Sequence, residues 1–262
     1  MKIKEITSVL EQFAPLSLQE SYDNAGLIVG HPDAQVHKAL LAVDVTYEVM
    51  DEAEREGCDL IITHHPIVFH PLKRFNSSNY IERCVERAIR HNIALYACHT
   101  NLDSAPEGMS WHLAKILGIG ELHTLQPTCP NDIRVGFGVV GNLATPLPIE
   151  QFLREIQQRL RVKVIRHSDL ISPTVHRVAV CTGAGAFLIE EAAHAEADLY
   201  ITSDLKYNDF MTPDRRMTVA DIGHFESEYC AIDILFDILS KNLSIFAVRK
   251  SGDSRNPINY WV

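Results

Sequence analysis

The sequence predicts an α/β protein made of two duplicated halves with mostly parallel sheets, and three observations carry that reading. First, residues 36–65 (VHKALLAVDVTYEVMDEAEREGCDLIITHH) align without a gap on residues 175–204 (VHRVAVCTGAGAFLIEEAAHAEADLYITSD), at an offset of 139 and with eight of thirty positions identical. Second, each copy passes from an apolar run through a helical stretch (YEVMDEAERE, FLIEEAAHAE) to a second apolar run (CDLIIT, ADLYIT), the order of a β-α-β unit. Third, the relation resumes further along. NIALYACHTNLD (92–103) and MTVADIGHFESE (217–228) each end an apolar strand and then present a histidine and a carboxylate four apart: His99 with Asp103, His224 with Glu228. Units of this kind imply parallel strands joined by right-handed crossovers.

Taken in order, the N-terminal MKIKEITSVLEQF reads as an amphipathic helix with its charges dispersed, not as a basic patch followed by an apolar block, so no signal peptide is expected. No apolar run approaches the roughly 20 residues that span a bilayer. The helical stretches EGMSWHLAKILG and YCAIDILFDILSKN follow the two His/carboxylate motifs. Between the halves, residues 126–174 hold a strand candidate, IRVGFGVVGNL, and a helix candidate, PIEQFLREIQQRLR.

Composition narrows the function. A hydrophobic fraction of 46% and a charged fraction of 22% are those of a soluble globular protein, expected in the cytoplasm. The six cysteines lack CxxC spacing and several lie in apolar runs, which favours buried reduced thiols over disulfides or a zinc knuckle. A net charge of −10 argues against nucleic acid as a partner. It leaves room for an anionic small substrate, because a bound metal supplies local positive charge.

The chemistry sits at the carboxyl ends of strands, where open α/β sheets place their ligand crevices. His64 and His65, in IITHHP, stand where an apolar run stops, and Pro66 favours a turning chain that aims both rings at one crevice. Adjacent histidines are expected to diverge, which suits two neighbouring ions better than one. His224 and Glu228, one helical turn apart, share a face. Imidazole with carboxylate is a ligand set for zinc, manganese, iron or nickel. With Asp103 and Glu228 as bridging carboxylates, the set predicts two divalent ions about 3.5–4 Å apart. Each residue also has a plainer reading: Asp103 as a helix cap, His99 as a ligand-orienting or merely satisfied histidine, His224 and Glu228 as a surface pair. Their recurrence in both halves favours the metal. The glycine turn CTGAGAF (181–187) lacks the third glycine of a dinucleotide fingerprint and reads as a structural turn, and SYDNAGL (21–27) reads as a helix stop or turn. No nucleophile elbow or Walker loop is present in the sequence.

Four motifs in order, YDNAGL, THHP, HTNLDSAPEG and GHFESE, resemble the NIF-three family in its short form, whose bacterial members are commonly described as GTP cyclohydrolase I type 2 homologues. The likeness covers nearly the whole chain. It implies two interlocked α/β domains, expected over 1–125 plus 225–262 and over 126–224. It also implies a dinuclear metal centre and a toroidal homohexamer, a trimer of dimers. Carried over by motif, the metal ligands are His64, His65, Asp103, His224 and Glu228, with Glu228 bridging, and His99 lies beside them; its proximity to the ligands makes it, with Glu226, a candidate catalytic proton shuttle. Tyr22 stands where the family often has Trp, and CTGAGAF departs from a pattern in which Ser commonly follows the glycines. The expected function is metal-dependent hydrolysis of GTP or a related nucleotide or phosphoester; the alternative is a non-enzymatic metal-handling or scaffold protein.

Overall fold

Short apolar runs bounded by turn residues set the strands of this computed structural model, which describes residues 1–261. The first unit begins with α1 (Ile3–Phe13), which buries Ile3, Ile6 and Leu10 along one face. There follow β1 (Gly26–Val29), β2 (Lys38–Ala42), α2 (Tyr47–Glu56), β3 (Leu60–Thr63), α3 (Tyr80–Arg90), β4 (Ala94–Ala97) and the short α4 (Thr100–Ser104). Thr46 caps α2 by accepting the Val49 N–H, and Gly57 ends it in the left-handed region. Asn79 caps α3 in the same way.

The chain then builds a second unit from α5 (Met109–Ile116), β5 (Ile119–Pro127), β6 (Gly136–Pro148), α6 (Ile149–Leu160), β7 (Arg166–His167), β8 (Thr174–Ala184), α7 (Ile189–His194), β9 (Leu199–Ser203), β10 (Thr218–Asp221) and α8 (His224–Glu228). It returns to the first unit with α9 (Cys230–Asn242) and β11 (Ala247–Lys250).

The first sheet has the order β1-β4-β3-β2-β11, with all pairs parallel except β1 against β4. LIIT of β3 and ALYA of β4 are buried at every position, as strands covered on both faces must be. The core on this sheet joins Leu40, Ile61 and Leu95 to Val49, Met50 and Ala53 of α2 and to Cys84, Val85 and Ala88 of α3. The second sheet runs β5-β6-β8-β9-β10-β7, with β8, β9 and β10 parallel and the flanking pairs antiparallel. Five of the six free cysteines are buried. Among the described residues no helix is long and apolar enough to cross a membrane.

The units take Met1–Ala105 with Ala231–Arg255, and Pro106–Cys230 with the described residues from Asn256 on. The sequence reading divides the chain at 125/126 and 224/225 instead. Residues 106–125 fall in the second unit because β5 pairs along β6 and α5 packs on β5, β6 and β8. Residues 224–230 fall there because α8 packs on β8 and β9.

Candidate metal centre

In the first unit, β3 and β4 run parallel with Thr63 opposite Ala97, so the chain leaves the sheet at His64 and at Cys98 on one level. His64 is fully buried, and its Nδ1 lies 2.7 Å from the Cys98 carbonyl oxygen. A carbonyl can only accept, so Nδ1 carries the proton and Nε2 the lone pair. That Nε2 lies 3.8 Å from Oδ1 of Asp103 on α4. His65 places Nδ1 2.8 Å from Oδ1 of Asp44, and His99 places Nδ1 2.7 Å from Oδ1 of Asp23. The two adjacent histidines do not diverge as expected: their ring centroids are 4.9 Å apart, and His99 lies 5.4 and 5.5 Å from them. Strand alternation has ended by His65, because the Thr63 hydroxyl donates to the His65 carbonyl (2.7 Å) and turns the chain. Asp103 is no cap either: it lies within α4, and Gly108 precedes α5 without a side-chain cap.

Asp23, from the loop before β1, is the hidden member of this set. Its side chain is fully buried, accepting from His99 Nδ1, from the Thr100 backbone N–H (3.0 Å) and hydroxyl, and from the Asn24 N–H (2.7 Å). Burial alone raises its pKa, but these hydrogen bonds and the His99 ring outweigh it and hold the carboxyl down at about 2.

In the second unit, Asp221 of β10 pairs with Thr202 of β9, and the chains beyond carry His224 and Asp204. His224 Nδ1 lies 2.8 Å from Oδ2 of Asp204, and its Nε2 lies 2.9 Å from Oε2 of Glu228, one turn along α8. The Glu228 side chain is buried, and the glycine turn makes room for it: a Cβ on Gly183 would stand 2.2 Å from Glu228 Oε1. Ser227 ties the two together, accepting from the Gly183 N–H (2.9 Å) and donating to the His224 carbonyl (2.8 Å).

All four histidines therefore share one arrangement. In each, Nδ1 faces a carboxylate or carbonyl oxygen, the support that metal-ligating imidazoles require. His224 differs in facing a carboxylate on both sides, Asp204 at Nδ1 and Glu228 at Nε2, a setting that suits a proton or a cation. The donor set fits a divalent transition ion. Sequence reasoning missed Asp23, Asp44, Asp204, Ser227 and the packing role of Gly183. The signal available for Asp204 was its alignment with His65 across the repeat.

The whole-chain comparisons agree with this architecture. A Clostridium perfringens protein named GTP cyclohydrolase 1 type 2 homolog is 34% identical over 231 residues, 87% of each chain. A Drosophila melanogaster NIF3-like protein 1 is 31% identical over 93% of this chain and 83% of its own. The crystal structure of a Staphylococcus aureus hypothetical protein superposes with a TM-score of 0.91 at 26% identity, covering 100% of this chain and 99% of that one. The Duf34/NIF3 (NGG1p interacting factor 3) family model matches residues 1–257, and the chain belongs to that family.

Proposed function

We propose that His64, His65, Asp103, His224 and Glu228 hold two divalent cations and that the protein is a metal-dependent hydrolase of GTP or a related nucleotide or phosphoester. The observation that supports this most is the shared Nδ1 support of the site histidines, at 2.7–2.8 Å from Cys98, Asp44, Asp23 and Asp204. Divalent ions held by these residues would supply an activated water and polarise the bond it attacks. His64 and His65 supply neutral imidazoles, and Asp103 and Glu228 supply charge-balancing carboxylates. In this reading His99, whose Nδ1 faces Asp23, holds or moves a proton at Nε2. The nucleotide comes from the names of the relatives. The reading includes a homohexamer in the cytoplasm, where free thiols persist.

Elemental analysis of protein purified without chelators tests the metal, and GTP turnover tests the chemistry. Turnover is expected to vanish in His64→Ala and Glu228→Ala while circular dichroism stays unchanged. Asp204→Asn, which keeps the left-handed backbone of that position (φ 56°), is expected to weaken metal binding about 10–100-fold. A protein that takes up no transition ion even after reloading overturns the reading. One that transfers its metal to an acceptor yet turns over no nucleotide or phosphoester is a metal-handling protein instead.

A further inference from the structure

Beside the histidines of the first unit stand two aromatic side chains that the proposed chemistry does not use. Tyr22 is 64% exposed and Phe69 36% exposed. Their ring centroids lie 6.3 Å apart at an interplanar angle of 63°, and Phe69 meets His99 edge to face at 5.9 Å and 84°. The series Tyr22–Phe69–His99 therefore leads from solvent to the ring that touches both His64 and His65.

The pair is held in place from both sides. Asn24 donates its side-chain amide to the Val68 carbonyl (2.6 Å), stapling the loop of Tyr22 to the loop of Phe69. Asp23, next to Tyr22 in the chain, is anchored to His99 and Thr100. Hydrogen bonds from the flanking residues thus hold the loops of two rings that remain exposed.

We propose that Tyr22 and Phe69 form a stacking platform for the planar heteroaromatic ring of the substrate, a nucleobase, with the rest of the molecule directed toward His99. The choice of a nucleobase rests on the nucleotide reading above; the platform itself rests on geometry. Two exposed rings set at 63° offer one wall for stacking and one edge for lateral contact, and stacking on an aromatic tolerates any base. Charge supports a ring over a phosphate here. The Tyr22 phenol is held above its ordinary pKa by partial burial and then by the carboxylates of Glu20, Asp23 and Asp103, a field that repels an anion and accepts the amino edge of a base.

The test is titration of guanosine, adenosine and uridine into the protein as purified, by calorimetry, with tripolyphosphate as the ring-free control. At least one nucleoside is expected to bind. Tyr22→Ser and Phe69→Leu are each expected to weaken it about tenfold, Tyr22→Trp to retain it, and metal content and tripolyphosphate binding to stay as in the wild type. The platform is overturned if no nucleoside binds, or if Tyr22→Ser binds as well as the wild type. It is equally overturned if Tyr22→Ser lowers the assembly mass in light scattering, for then a second copy covers these rings. Nucleoside binding that survives without metal or turnover upholds the platform and counts against the hydrolase alone.

Discussion

The two β-α-β repeats match at one end of their strands and part at the other. At the matching end, Asp59 accepts from the backbone N–H groups of His37 (2.9 Å) and Lys38 (3.0 Å), as Asp198 does from His176 (2.8 Å) and Arg177 (2.9 Å). Lys38 reaches the Glu56 carbonyl (2.8 Å), and Arg177 reaches that of Ala195 (2.6 Å). The strand registers correspond as well, Ala39 opposite Leu60 and Val178 opposite Leu199. At the carboxyl end the first copy has Asp44, His64 and His65 where the second has Gly183, Ser203 and Asp204. Hydrogen bonds that close the β-α-β unit leave those positions little freedom. At the strand tips the hydrogen bonds differ between the copies: Thr63 donates to the His65 carbonyl in the first, whereas Thr202 and Ser203 donate to the Gly183 carbonyl in the second.

The most damaging way to probe that difference is to undo it at Gly183. An alanine Cβ there would meet Glu228 Oε1 at 2.2 Å, on a backbone at φ +64° that L side chains rarely adopt. Left-handed strain and overpacking together set the cost of Gly183→Ala at about 3 kcal/mol, read by chemical denaturation. Displacement of Glu228 should also lower the metal content. The corresponding position in the first copy, Asp44, has no positive φ and faces the His65 ring at 2.8 Å. Asp44→Ala should therefore cost under about 1 kcal/mol while weakening metal binding. Equal stability losses at the two positions would break the comparison.

A smaller effect separates the two carboxylates that support strand-end histidines. Asp23, behind His99, is buried and depressed to about 2 from 3.8; Asp204, behind His224, is half exposed. A carboxyl whose folded pKa lies below its unfolded one stabilises the fold above the unfolded value, and that stability is lost as pH falls through the folded value. Asp23 should thus contribute on the order of 1–2 kcal/mol at neutral pH, fading between about pH 4 and pH 2. The stability gap between the wild type and Asp23→Asn should narrow across that window in denaturation at stepped pH. A gap that stays constant down to pH 2 would show that charge is not what Asp23 supplies.

These contrasts also mark how far the sequence could be read. The repeat, the helix stretch YEVMDEAERE and the histidines at strand ends are local patterns, and they appear where periodicity and turn residues put them. The division of the chain was not legible, because the pairing of β5 with β6 is made in three dimensions and leaves no periodic mark that assigns residues 106–125 to one half. Asp23 was missed for a related reason. It lies 76 residues from His99, in a turn whose Asn-Ala-Gly looks sufficient to explain itself. Gly183 is similar: a glycine in a turn is unremarkable until a buried carboxylate is seen to occupy the space its side chain would take.

Gly57 gives the smallest effect and the cleanest control for Gly183. Both have positive φ, +66° and +64°, but a Cβ on Gly57 would meet nothing within 4 Å. The second repeat has already made this substitution: Glu196, its counterpart at the offset of 139, adopts φ 57° at the end of the corresponding helix. Helix C-termini accept Asn in this conformation at little cost, so Gly57→Asn should lose less than about 1 kcal/mol and leave metal content unchanged. If it proves as harmful as Gly183→Ala, backbone strain alone explains both sites. The crowding of Glu228 would then no longer distinguish Gly183 from Gly57.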